Sequence, residues 1–337
     1  MTDRVLRASD LAKAYRKPFT RERAFAVRGV SFEVRRGETL GLVGPNGAGK
    51  STTIKMLTGL VRATRGSVEI FGSAAPAPEA MARIGFLPES PTVHPCLTAR
   101  EFVSMCGRLS GLSGAALTRA VARAFDRVST ADDIDRPART LSKGMLQRVA
   151  LAAAIVHDPE LLILDEPMSG LDPVGRKEVR DLVAEEKRRG RTVLFSSHIL
   201  GDVELLCDRV CILHGGEVVA SGRLDDLLSS GKRRREITLS GANESTRRDL
   251  ESLATAARAL GEALVLEVEG DDALRAVIER AFSAGARLER VTDKGKTLED
   301  LFGRLTFTRG RDATTRETGS SERPDDTERS RADRRRK

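Results

Sequence analysis

The chain has 337 residues, more than one ordinary domain needs and enough for one large domain with a small one beside it. Hydrophobic residues make up 40 %, yet the longest aliphatic run, Val149 to Val156, is far below the roughly 18 residues that span a bilayer, which excludes a membrane-spanning reading. The net charge of +8 is compatible with nucleic acid or an anionic surface. However, residues 308–337 hold ten Lys/Arg and seven Asp/Glu, so +3 of it sits in a tail too polar to fold, and a single Tyr with no Trp gives few base-stacking platforms, although eleven Phe remain.

Met1 to Arg4 carry no apolar signal segment, and four cysteines without a paired framework suit a reducing compartment, so the expected location is cytoplasmic. The chain begins with Val5-Leu6-Arg7-Ala8, Leu11 and Tyr15, a basic loop from Arg16 to Arg23, and an alternating stretch, Val30 to Val34, closed by Arg35-Arg36-Gly37-Glu38. Two strands are expected there. Tyr15 is either a half-buried core aromatic or a flat platform for a purine.

Next, the apolar run Thr39 to Val43 leads into Gly44-Pro45-Asn46-Gly47-Ala48-Gly49-Lys50-Ser51 and then Thr52-Thr53-Ile54-Lys55. A glycine-rich turn between strand and helix aims backbone N–H groups at phosphates. Lys50 adds a full positive charge, and Ser51 can place a hydroxyl on Mg2+. Strands are expected at Gly66 to Gly72 and at Ile84 to Leu87, the latter ending in Pro88-Glu89. From Leu97 to about Val128 the period becomes helical, opened by the capping box Thr98 to Glu101. Leu141-Ser142-Lys143-Gly144-Met145-Leu146-Gln147-Arg148 then runs into an alanine-rich helix, Val149 to His157. Ser142 and Gly144 read equally as ordinary helix caps and as an anion site.

Leu161 to Leu164 is an aliphatic strand ending in Asp165-Glu166. Burial explains the aliphatics but not the two acids, which at a strand's carboxyl end face the ligand crevice of an open α/β sheet. There Asp165 can hold Mg2+ and Glu166 can polarise a water. Ser169 to Pro173 makes a turn before a charged helix, Val174 to Arg189, and Thr192 to Ser197 repeats the buried strand with His198 at its exit. A lone histidine is usually structural, but at this crevice it can also meet a terminal phosphate. Cys207, Cys211 and His214 lie in apolar patterns and read as packed core rather than a zinc site.

Taken together, Tyr15, the phosphate loop, Glu89, the Ser142–Gly144 helix start, Asp165-Glu166, Asp172 and His198 resemble the ordered motifs of the ATP-binding cassette (ABC) ATPases over about residues 4 to 228. Within that family the chain looks most like the nucleotide-binding subunits of ABC-2-type export systems. The resemblance implies a P-loop α/β cassette with an antiparallel β subdomain and an inserted helical subdomain, about residues 90–160. It implies ATP and Mg2+ as ligands, with Tyr15 stacking on adenine, residues 44–52 holding phosphates, and Ser51, Glu89 and Asp165 at the metal. Glu166 would be the catalytic carboxylate, His198 the switch histidine, and Ser142, Gly144 and Asp172 contacts to nucleotide across a homodimer. The signature departs from Leu-Ser-Gly-Gly-Gln, being Leu141-Ser142-Lys143-Gly144-Met145 here, and Glu89 stands where the wider family has glutamine. The implied partners are a second copy and a membrane permease, with no nucleic acid expected; a soluble ABC ATPase acting on nucleic acid or ribosomes is the alternative. A linker over 229–235, a small α+β extension over 236–307 and a disordered tail over 308–337 complete the expected layout.

Overall fold

The computed structural model describes residues 3–16, 22–128, 134–229, 234–294 and 297–303. The expected tail and most of the expected linker lie outside the described residues. Residues 1–298 form one compact unit; of the short second unit, 299–337, only 299–303 are described, and they are helical.

Among the described residues, three sheets build the first unit. The first, β2-β1-β4-β5, is antiparallel and comprises β1 (Arg4–Arg16), β2 (Arg23–Arg35), β4 (Arg65–Ile70) and β5 (Ser73–Ala74). Along β1 and β2, buried residues such as Leu6, Leu11, Val30 and Phe32 are interspersed with exposed ones, as on a sheet with one wet face.

The second sheet, β10-β9-β3-β8-β7-β6, comprises β3 (Thr39–Val43), β6 (Ile84–Leu87), β7 (Leu161–Leu164), β8 (Thr192–Ser197), β9 (Arg209–His214) and β10 (Glu217–Arg223). All its pairs are parallel except β9 with β10. Every residue of β3, β7 and β8 is buried, which accounts for their near-continuous apolar sequences. Helix α1 (Lys50–Leu57) leaves β3 through the phosphate loop, and its Ile54 and Leu57 enter one core with Leu6, Val30, Leu40 and Leu194, so both sheets close on this helix.

Between β4 and β7 lie α2 (Pro78–Met81), α3 (Ala99–Leu109), α4 (Gly114–Arg127) and α5 (Lys143–Ile155). The capping box forms as expected: Thr98 accepts from Glu101 N and Glu101 from Thr98 N. Helix α5 begins at the Ser142–Gly144 helix start read from the sequence, with Ser142 capping it through Met145 N, and runs on without a break into the alanine-rich stretch from Val149. After β7 come α6 (Pro173–Arg188), α7 (Leu200–Leu206) and α8 (Leu224–Ser229).

The third sheet, β12-β13-β11-β14, is antiparallel: β11 (Arg234–Ser240), β12 (Ala256–Leu260), β13 (Ala263–Glu269) and β14 (Arg287–Lys294). Helices α9 (Glu244–Ser252) and α10 (Asp271–Ser283) share its core through Leu250, Val277 and Ala281 against Ile237, Leu239 and Leu266. Within the range expected as linker, α8 runs to Ser229 and β11 already begins at Arg234. No helix among the described residues is long and apolar enough to cross a membrane.

Candidate nucleotide site

The phosphate loop is fixed from below by close backbone packing. A Cβ on Gly44 would run into the Leu213 carbonyl oxygen, and one on Gly49, whose φ is +100°, would stand 2.6 Å from Ala26 O. The loop therefore needs glycine at both positions, for room at the first and for room and conformation at the second. Gly216 N donates to Ala48 O at 3.2 Å, so the turn between β9 and β10 holds the loop from the other side. Asn46, Gly47, Ala48, Gly49, Lys50, Ser51 and Thr52 line an open cleft with Ala26, Glu89 and Glu166.

Lys50 is buried with its ammonium directed at three oxygens: Gly44 O at 2.7 Å, Pro45 O at 3.2 Å and Glu166 Oε1 at 3.0 Å. The other oxygen of Glu166 meets His198 Nδ1 at 2.8 Å. Glu166 sits at φ +49°, a conformation L-residues rarely adopt, and its N–H donates to Ser196 Oγ at 2.8 Å. The Ser196 hydroxyl in turn donates to Asp165 Oδ1 at 2.7 Å. Ser51 Oγ donates to Asp165 Oδ1 at 3.1 Å and lies 3.4 Å from Glu89 Oε2. Burial pushes the Asp165 carboxyl above its ordinary value; the bonds from Ser196 and Ser51 oppose this, and the charges of Glu89 and Glu166 add to it.

One serine hydroxyl and two carboxylates on one side of the phosphate loop are an all-oxygen donor set, the chemistry a hard divalent cation such as Mg2+ takes. The crowding of negative charge at Asp165 fits the same reading, because a cation there would relieve it.

Thus the chain itself brings together the phosphate loop, Glu89, Asp165, Glu166 and His198. It does not bring the others to the cleft. Ser142 caps α5, Gly144 is the second residue of the same helix, and Asp172 caps α6 by accepting from Gly175 N at 2.8 Å; none of the three lines the cleft. Lys143 lays its side chain across Gly170 of its own chain, where any Cβ would meet its Nζ. Tyr15 is 43 % exposed, with Lys13 Nζ 5.3 Å from its ring centroid, so it is not a core aromatic. Its cross-strand partner is Ala24, two residues from the cleft-lining Ala26, but Tyr15 itself is not in the lining. Cys207 and Cys211 are packed in the core, Cys207 against Gly41, and burial pushes the Cys211 thiol to about 12.

Two residues escaped the sequence reading. Ser196 supports both acids at once, and its signal was only a hydroxyl at the end of an aliphatic strand. Gln147 is buried and donates to Pro167 O at 3.0 Å, a bond spanning 20 residues that no local pattern announces.

A strand–glycine loop–helix cradle, with lysine and serine at the helix start and acids at the end of the parallel strand one place beyond the adjacent one, defines a P-loop nucleoside triphosphatase. The family model described as ABC transporter matches residues 27–169. The chain is 36 % identical over 283 residues to the Nod factor export ATP-binding protein I of Burkholderia lata, covering 83 % of this chain and 91 % of that one. It is 37 % identical to the linearmycin resistance ATP-binding protein of Bacillus subtilis over 254 residues, 74 % of this chain and 80 % of that one. Among solved structures, an ATP-binding subunit of an ABC transporter matches with a TM-score of 0.59 and 36 % identity, covering 66 % of this chain and 91 % of that one. The chain belongs to the ABC transporter family, as an ATP-binding ATPase subunit.

Proposed function

We propose that the chain is the ATP-hydrolysing subunit of an ABC-2-type export system, two copies of which sandwich two ATP molecules and drive a separate membrane permease. The observation that carries the reading is the Glu166 carboxylate, held between the Lys50 ammonium and the His198 ring beside the phosphate cradle. A water between Glu166 and the terminal phosphate would be polarised for attack, His198 would steady that phosphate, and Lys50 would offset its charge. Mg2+ held through Ser51, Asp165 and Glu89 would neutralise charge on the phosphates. Two relatives named for export and resistance support the transport direction, and the 283-residue match to the first is longer than a cassette of residues 1–228, so it reaches into the proposed extension at 236–307.

Tyr15 would carry the adenine. Tyr15→Phe is expected to bind ATP normally, and Tyr15→Ala to bind about two- to twelvefold more weakly, the range of one aromatic contact worth about 0.5 to 1.5 kcal/mol. Because the ring is half exposed, the thermal midpoint should change little. Fluorescent-nucleotide titration checks this; equal affinity in Tyr15→Ala would remove the stacking role.

The transport reading is tested by purifying the tagged chain from solubilised membranes of its host. A polytopic membrane protein is expected in stoichiometric amount, with ATPase activity in the complex that Lys50→Ala abolishes. A chain recovered only from the soluble fraction, active without a membrane partner, would contradict it.

A further inference from the structure

Glu166 is held in an uncommon backbone conformation, φ +49°, and a polar side chain grips the chain on each side of it. On the N-terminal side, Ser196 Oγ accepts its N–H. On the C-terminal side, the Pro167 carbonyl accepts from Gln147 Nε2, in a bond buried from solvent. Gln147 belongs to α5, the helix whose first turn carries Ser142, and Lys143 of that turn lies across Gly170 in the loop that follows Glu166. A buried amide on a largely apolar helix stretch, only 5 % exposed, has a cost in desolvation that its single bond to Pro167 O offsets. Apolar packing alone would be served by leucine or methionine.

We propose that Gln147 is a positioning residue for Glu166: its amide holds the Pro167 peptide, and through it the carboxylate, in register with α5. Because α5 also presents Ser142, a shift of that helix on engagement with a second copy passes to the carboxylate through this bond. The site a chain lends and the site it keeps are thereby linked inside one chain. This rests on the reading of Glu166 as the group that polarises water. Without the amide donor, the Pro167 carbonyl is buried and unpaired and the turn relaxes toward an ordinary conformation, carrying the carboxylate away from the attacking water.

Gln147→Met keeps length and apolar bulk and removes the donor. Turnover per nucleotide-binding site is expected to fall at least about tenfold, in line with the steep dependence of rate on the placement of a reacting group, while ATP affinity stays within about twofold. In a Glu166→Gln background the same change should leave the residual turnover nearly unaltered, since a residue acting through Glu166 has nothing left to position. Counting turnover per bound nucleotide keeps unfolded protein out of the result, and if Gln147→Met does not fold, Gln147→Asn, which keeps the amide but shortens its reach, takes its place with the same expectations. Unchanged turnover, or an equal fractional loss with and without Glu166, overturns the proposal. If Glu166→Gln alone hydrolyses normally, the reading of Glu166 fails and the proposal falls with it; a slow Glu166→Gln beside a normal Gln147→Met sinks the proposal alone.

Discussion

Glu166→Gln is expected to bind ATP while its steady-state phosphate release falls at least about tenfold, a cautious bound on the 10^2 to 10^4 that a positioned general base contributes. The amide keeps the shape of the side chain, so the cleft and the Ser196 bond to the backbone N–H persist, but it no longer draws a proton from water. The change also neutralises one half of a buried pair. Lys50 and Glu166 are both almost wholly covered, and stripping a buried charge of its partner costs about 3–5 kcal/mol in comparable sites. Here the Gly44 and Pro45 carbonyls still accept from Lys50, so the loss should sit at or below the low end of that range, and added ATP should restore it by supplying phosphate charge. A melt with and without Mg-ATP separates the stability effect from the catalytic one. Near-normal hydrolysis would remove Glu166 from its role.

Ser142→Arg is expected to abolish ATP-driven pairing of two chains while leaving ATP binding to one chain intact. Ser142 is exposed at the start of α5 and does not line its own chain's cleft, so in a single chain the larger side chain extends into solvent. In a two-fold pair the same surface on both copies meets the other's phosphate loop, and the added bulk is met twice. The substitution also deletes a helix cap worth about 1 kcal/mol. Ser142→Ala is therefore the control, with the cap gone and no bulk added: it should pair more weakly than wild type but still respond to ATP. Nucleotide titration beside size analysis of the three proteins reads both effects.

The phosphate loop was legible because its chemistry is local: Gly44, Gly49, Lys50 and Ser51 lie within eight residues, and strand and helix propensities flank them. Asp165 and Glu166 were legible for a similar reason, as charges that a buried strand cannot explain. The C-terminal sheet was only partly so. Ala256-Ala257-Arg258-Ala259-Leu260 has a helix-former's composition and every residue is exposed, so nothing in its pattern marks a strand; pairing to β13 across the Gly261 turn makes it one. Ser196 and Gln147 were hidden because their importance lies in partners 30 and 20 residues away. Lys143 likewise meets a residue far along the chain, lying across Gly170. Single residues with distant partners carry no period and no composition, and only the folded chain displays them.

The proposed joining of two of these chains by ATP into one catalytic unit is open to a direct test, the sedimentation of Glu166→Gln with and without Mg-ATP. A parallel sample truncated after residue 228 removes any nucleotide-independent contact made by the C-terminal region. Because nucleotide shared between two chains binds the pair better than the single chain, mass action requires ATP to shift the population toward dimer, and slowed hydrolysis keeps it there. Monomer is expected without nucleotide, dimer in saturating Mg-ATP, and monomer again when Ser142→Arg is added. A truncated Glu166→Gln protein that stays monomeric in saturating Mg-ATP, or that pairs equally well with Ser142→Arg, would contradict it.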